Sequence, residues 1–148
     1  GARPSGPPRL LVGTDGSECS AWAVEWVGRR AWPEGTEVIV VTSDECTAAF
    51  DPVVGVIPTV ADEKWAMETA GAAAEKLRRP GLKVTERTAV GMAHHVLLDI
   101  AEQERVDCVF VGAHGVGAVE RWLLGSVSST LAVHAPCSVE IVHPKKAG

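Results

Sequence analysis

The sequence predicts one α/β domain: an open five-stranded parallel sheet, strand order 3-2-1-4-5, with helices on both faces. Three observations point there. Short β-branched runs alternate with amphipathic helical stripes along the chain, which is how βαβ units read. The 148 residues are enough for one domain with its own core and carry no internal repeat. Turn residues punctuate the junctions, at Asp15-Gly16-Ser17, Pro33, Gly35, Pro80-Gly81, Gly91 and Pro136.

Each element follows in order. Arg9 to Thr14 is a short apolar strand. Ser17 or Ser20 can cap the helix after it, where Ala23, Val24, Val27 and Ala31 recur at helical spacing up to Trp32. Val38 to Val41 is a buried strand. Asp44 to Val60, with Pro52, Gly55 and Pro58, is expected to be a long loop, and such loops often serve as lids. A helix from about Ala61 to Arg79 carries the stripe Met67, Ala70, Ala74 and Leu77. Leu82 to Val90 alternates as an edge strand does. Ala93, Val96, Leu97, Ile100 and Ala101 form the clearest helical stripe. Asp107 to Gly112 is a buried strand, Ser126 to Ala135 a helix, and Ser138 to His143 the last strand. Gly1 to Pro8 reads as a disordered lead and 145–148 as a tail, leaving a domain over 9–144.

Composition removes several classes of function. The formal charge is −5, from 19 acids and 14 Lys and Arg, which disfavours phosphate-backbone binding, so no nucleic-acid partner is expected. No apolar run reaches the roughly 18–20 residues of a membrane span. Cys19, Cys46, Cys108 and Cys137 are widely spaced with no C-x-x-C, so the thiols read as reduced and inert, in a cytoplasmic protein. His94-His95, His134 and His143 lack metal-ligand spacing. The chain has five Trp and no Tyr, which removes phenolic chemistry. Trp22 and Trp26 read as helix packing, whereas Trp65 and Trp122 flank the lid loop and the glycine loop.

The chemistry concentrates at the carboxyl ends of the first and fourth strands. In the 3-2-1-4-5 order these flank the topological switch, where open α/β sheets bind ligands. Thr14-Asp15 ends one strand. Gly112-x-x-Gly115 ends the other, and nine residues later comes Gly125-Ser126. Paired glycines let backbone approach a ligand. The backbone N–H groups of Gly125, Ser126 and Val127, with the Ser126 and Ser128 hydroxyls, open a helix and form an anion site. The pattern lacks the lysine of a Walker A loop, and its glycine order is not the dinucleotide fingerprint. Arg121 or a bound Mg²⁺ or Mn²⁺ would have to neutralise phosphate charge. Simpler readings stand beside these: Asp15 as an Asx-turn cap, the glycines as turns, Ser126 and Ser128 as helix caps, Arg121 and His114 as solvated loop residues.

The G-x2-G-x9-G-S spacing, the opening Leu-Leu-Val-Gly-Thr-Asp-Gly-Ser and the closing Ala-Pro-Cys-Ser-Val-Glu-Ile-Val resemble the universal stress protein family, over about Arg9 to Pro144. The nine-residue spacer is similar to the ATP-binding branch. The resemblance implies an adenine nucleotide α-hydrolase-like fold and a homodimer paired through the last strand, 138–143. It implies ATP or AMP as ligand, with a divalent cation on the phosphates and a role in stress response. It maps the adenine–ribose end to Gly13, Thr14, Asp15, Val41 and Thr42. The phosphate cradle maps to Gly112, His114, Gly115, Gly125, Ser126 and Val127, with Ser128 behind. Gly91-Met92-Ala93 and Cys137-Ser138 lack prolines common in the family.

No catalytic residue is identified. The G-x-S-x-G elbow is absent, and no carboxylate pair or Cys–His pair is marked by a motif. Asp15, Asp44 and Glu45 could share one ligand without defining a base. The reading is a nucleotide-binding regulatory module acting on an unknown protein partner. A slow ATPase or nucleotidyl-transferring enzyme, and an interaction dimer with a vestigial pocket, remain as alternatives.

Overall fold

A computed structural model describes residues 6–44, 48–58, 63–113 and 125–143. In chain order the elements are β1 (Arg9–Gly13), α1 (Glu18–Arg29), β2 (Thr36–Asp44), β3 (Ala48–Asp51), β4 (Gly55–Pro58), α2 (Glu63–Leu77), β5 (Leu82–Val90), α3 (Ala93–Gln103), β6 (Cys108–Gly112), α4 (Ser126–His134) and β7 (Ser138–Val142). The main sheet runs β5-β2-β1-β6-β7, every neighbouring pair parallel. Counted over its own five strands, that is the expected 3-2-1-4-5.

Strand alternation sorts the core into two layers. Leu11, Ile39, Val41, Val109 and Val111 face α3 and α4, meeting Leu97, Ile100 and Leu131. Leu10, Val12, Val38, Val40 and Phe110 face α1 and α2, meeting Val24, Val27, Ala74 and Leu77. Below the sheet Arg9 ties three elements together. Its guanidinium donates to Glu37 Oε2 at 2.5 Å and to the Glu104 carbonyl at 2.6 Å, and its amide donates to Asp107 Oδ2 at 2.8 Å.

Four expectations need correction. The stretch expected as a long loop holds the antiparallel β3–β4 hairpin, paired from Ala48↔Pro58 to Asp51↔Gly55. Proline ordinarily demotes a strand reading; here Pro52 lies in the bend and Pro58 ends its strand. The second strand runs three residues past Val41, because β5 pairs with it continuously from Thr36↔Leu82 to Asp44↔Val90.

In α1 the helix stops at Arg29, and Ala31 is exposed. Trp32 leaves the helix to cap the core, its indole N–H donating to the Val27 carbonyl at 2.9 Å and its ring edge-on to Phe110 at 6.1 Å. In α2 the buried stripe is Ala66, Ala70, Ala73, Ala74 and Leu77, while Met67 is exposed. Hydropathy ranks Met above Ala, but the small residues let this helix lie close to the sheet.

Candidate functional site

The β1–α1 turn is built from its own side chains. Asp15 Oδ1 accepts the Ser17 amide at 2.9 Å, an Asx turn. Gly16 holds φ +79°, which suits glycine. Ser17 caps α1 by accepting the Ser20 amide at 3.2 Å. The Thr14 and Ser20 hydroxyls meet at 3.1 Å, and Ser20 donates to the Ser17 carbonyl at 3.0 Å. Since Ser20 has a single hydroxyl proton, Thr14 is the donor between the two. Thr14 is thus buried with its side chain turned toward α1, while its amide donates to the Val41 carbonyl at 3.0 Å.

Across the switch, β6 ends in Gly112 and Ala113. The Ala113 amide donates to the Val142 carbonyl at 2.9 Å, and the Gly125 amide donates to the Ala113 carbonyl at 2.8 Å. These bonds set the start of α4 against the ends of β6 and β7. The Ser128 hydroxyl reaches the Gly112 and Ala113 carbonyls at 2.8 and 3.0 Å and is almost wholly buried. It fixes the end of the strand instead of facing outward. Ser126 is exposed and Val127 half-buried.

Helix α4 starts with no side-chain cap at Gly125, and its first i to i−4 bond runs from Ser129 to Gly125. The amides of Ser126, Val127 and Ser128 precede that bond. They form the donor-rich, positive end of the helix.

Two glycines are shaped by packing. A Cβ on Gly112 would lie 2.6 Å from the Cys19 carbonyl carbon and 2.7 Å from its oxygen, both main-chain atoms of the first turn of α1. A Cβ on Gly13 would lie 3.1 Å from Leu97 Cδ1 and 3.3 Å from Val111 Cγ1. Gly112 therefore lets α1 close on β6, whatever else it does.

The residues expected at the adenine–ribose end separate. Val41 is core, packed with Leu11, Ile39 and Val96. Ser43, two residues on and therefore on the same face, is half-buried at the strand end. Thr42 is fully buried on the α1–α2 side, and its Oγ1 has no hydrogen-bond partner among the described residues. His114, Gly115, Arg121 and Trp122 lie outside the described residues, and of the expected cradle only Gly112 and Gly125 to Ser128 are described.

Trp26, expected as packing, is nearly half exposed and donates its indole N–H to Glu140 Oε2 at 3.0 Å, beside the Arg30–Glu140 ion pair at 2.8 Å. It covers the side of β7 instead of filling the core. Cys108 has its thiol pushed up to about 12, first by burial and then by the Glu140 charge, and burial likewise raises Cys137. Both therefore stay protonated and unreactive at neutral pH. Among the described residues no group of three or more His, Cys, Asp or Glu could hold a metal ion. None of their helices is long and apolar enough to cross a membrane.

Relatives share this layout. Universal stress protein Rv1636 of Mycobacterium tuberculosis is 30% identical over 138 residues, 90% of this chain and 94% of the relative. Among solved structures, hypothetical protein MJ0577 superposes with a TM-score of 0.74 at 23% identity, covering 95% of this chain and 98% of its own. A universal stress protein in complex with cAMP superposes at 0.66 with 24% identity, over 95% and 100%. A family member from Arabidopsis thaliana with AMP bound superposes at 0.65 with 15% identity, over 94% and 93%. The sequence profile of the Universal stress protein family matches residues 8–143, and the chain belongs to that family.

Proposed function

We propose that the chain binds an adenine nucleotide, ATP or AMP, in the crevice between the β1 and β6 ends, and that it works as a homodimeric regulatory module in a cytoplasmic stress response. The observation carrying this is the uncapped start of α4. It is held against Gly112-Ala113 at the topological switch, where a phosphate would meet the amides of Ser126 and Val127. The glycine spacing of the ATP-binding branch and relatives holding cAMP and AMP support the same reading. Asp15, Ser43 and Gly13 stand at the ribose and base end.

Mg²⁺ or Mn²⁺, if it accompanies the nucleotide, would be held through the phosphates, with Asp15 as the acid that follows β1. β7, at one edge of the sheet, would pair with its twofold mate. Binding would shift the loop states that a protein partner reads, by the difference in ligand affinity between them.

Mass spectrometry of the denatured, purified protein should show co-purified ATP or AMP. Calorimetry should show Ser126→Ala modestly weaker and Gly115→Val much weaker for ATP. No co-purified nucleotide, together with no heat on adding ATP and Mg²⁺, would overturn the reading. A monomer mass by light scattering would overturn the dimer.

A further inference from the structure

The main sheet ends in two edge strands, β5 and β7, and their side chains differ. Along β5, Lys83, Glu86 and Arg87 stand exposed, and charges placed so are how an edge strand resists pairing. β7 has no such guard. Val139, Ile141 and Val142 are half-buried, and its one charge is Glu140. Val139 and Ile141 pack on the α3–α4 side. Glu140 turns to the α1 side, where Trp26 stands nearly half exposed.

The Glu140 carboxylate is already engaged there. Arg30 Nη1 donates to both of its oxygens, at 2.8 and 2.9 Å, and the Trp26 indole N–H donates to Oε2 at 3.0 Å. Arg30 is itself held in place, with its guanidinium over the Trp32 ring at 4.7 Å from the centroid. The Glu140 side chain keeps 38% of its surface exposed, so a neighbouring strand can still cover it.

Symmetry gives this arrangement a use. Two copies of one strand, paired antiparallel about a twofold axis, set one residue opposite itself. Glu140 is the middle residue of Ser138–Val142. A pairing centred on Glu140 engages the whole strand, whereas one centred on Val139 or Ile141 engages only 138–140 or 140–142. Opposed residues have Cβ atoms about 4.5–5.5 Å apart, and like charges so placed are destabilising. A bare glutamate at the centre would oppose self-pairing. One already joined to Arg30 does not.

We infer that the Arg30–Glu140 pair, completed by Trp26, is the charge lock of an interface between two copies of this chain, with Glu140 opposite Glu140 across the β7 edges. This rests on the homodimer reading above and adds what the pairing requires. Each copy brings one carboxylate and one guanidinium, so the centre of the interface carries no net charge.

Sedimentation equilibrium of the full chain measures the dimer dissociation constant for wild type, Arg30→Met, Glu140→Gln and the double variant. Met keeps an apolar stem against Trp32. Arg30→Met should weaken the dimer about tenfold or more, because two bare carboxylates then face each other. Arg30→Gln, which keeps a donor without the charge, should do the same. Adding Glu140→Gln to Arg30→Met should return the constant to within about threefold of wild type. A wild-type monomer would overturn the homodimer reading and the lock with it. A wild-type dimer that both Arg30 variants leave within about threefold would overturn the lock and keep the dimer. So would a weakened Arg30→Met dimer that Glu140→Gln does not restore, since removing a charge mends repulsion and not a misshapen edge.

Discussion

Replacing Gly112 with alanine tests whether this glycine serves packing before it serves a ligand. The added Cβ would sit 2.6, 2.7 and 2.8 Å from Cys19 C, O and Cβ. Carbon contacts are comfortable at about 3.5–4.0 Å, so the overlap is roughly 1 Å. No side-chain rotation relieves it, because two of the three atoms are main chain. The first turn of α1 is also held by the Ser17 cap and the Ala21-to-Ser17 backbone bond. Overpacking of this kind costs about 1–3 kcal/mol, and a main-chain clash belongs at about 3. For a domain of this length each kcal/mol moves Tm by roughly 2–4 °C, so the expected fall is about 6–12 °C.

Thermal and urea unfolding of the nucleotide-free protein measure it. Gly28→Ala is the control: its Cβ would meet only Leu77 Cδ2, at 3.4 Å, and within a helix the change should be neutral or stabilise by up to about 1 kcal/mol. Cys19→Ala keeps all three clashing atoms and should not rescue Gly112→Ala. An unchanged Tm in Gly112→Ala would refute the packing argument and return this glycine to the ligand alone.

Two further outcomes are expected. Ser128→Ala removes the hydroxyl that reaches the Gly112 and Ala113 carbonyls. It should cost about 1–2 kcal/mol in urea unfolding and weaken ATP through a misplaced strand end, whereas Ser126→Ala should leave stability nearly unchanged. The Cys108 thiol is raised from 9.0 to about 12 in the folded protein. Its contribution to stability is whole below pH 9 and is lost as pH rises from 9 toward 12, because only the unfolded chain then releases the proton. The urea midpoint should fall across that window more steeply in the wild type than in Cys108→Ala, and equal slopes would refute the shift.

The five sheet strands and four helices were legible because their signals are periodic. Val96, Leu97, Ile100 and Ala101 repeat at helical spacing and all four are buried. What sequence reading missed depends on partners distant in the chain. Thr42, Ser43 and Asp44 look like a polar turn, and only the edge strand opposite, Thr88 to Val90, makes them strand. Val41, expected at the ligand end, lies in the core, and Ser43, on the same face, is the half-buried residue at the strand end. Pro52 and Pro58 hid the β3–β4 hairpin because a proline in a turn or at a strand end carries no local mark of its harmlessness. Met67 was placed inside on hydropathy, though the close approach of α2 to β2 and β5 favours alanine.

The glycine–serine motif shows where spacing alone runs out. Its sequence treats Gly112, Gly125, Ser126 and Ser128 as one kind of residue, all available to a phosphate. The fold divides them. Gly112 faces the Cys19 backbone, the Gly125 amide is taken by Ala113, and the Ser128 hydroxyl is turned inward to two carbonyls. Among the described residues this leaves the first amides of α4 and the exposed Ser126 hydroxyl to meet an anion. Such a cradle relies on oriented N–H groups, with no lysine or arginine among its described members. Removing one hydroxyl should therefore cost little affinity. Disturbing the hydrogen bonds that aim the start of α4 should cost more, so Ser128→Ala should weaken ATP binding more than Ser126→Ala although the Ser128 hydroxyl is buried against two carbonyls. Calorimetry on the two variants decides it: the reverse order of affinities would mean that hydroxyl contact, and not the placement of the helix start, governs phosphate recognition.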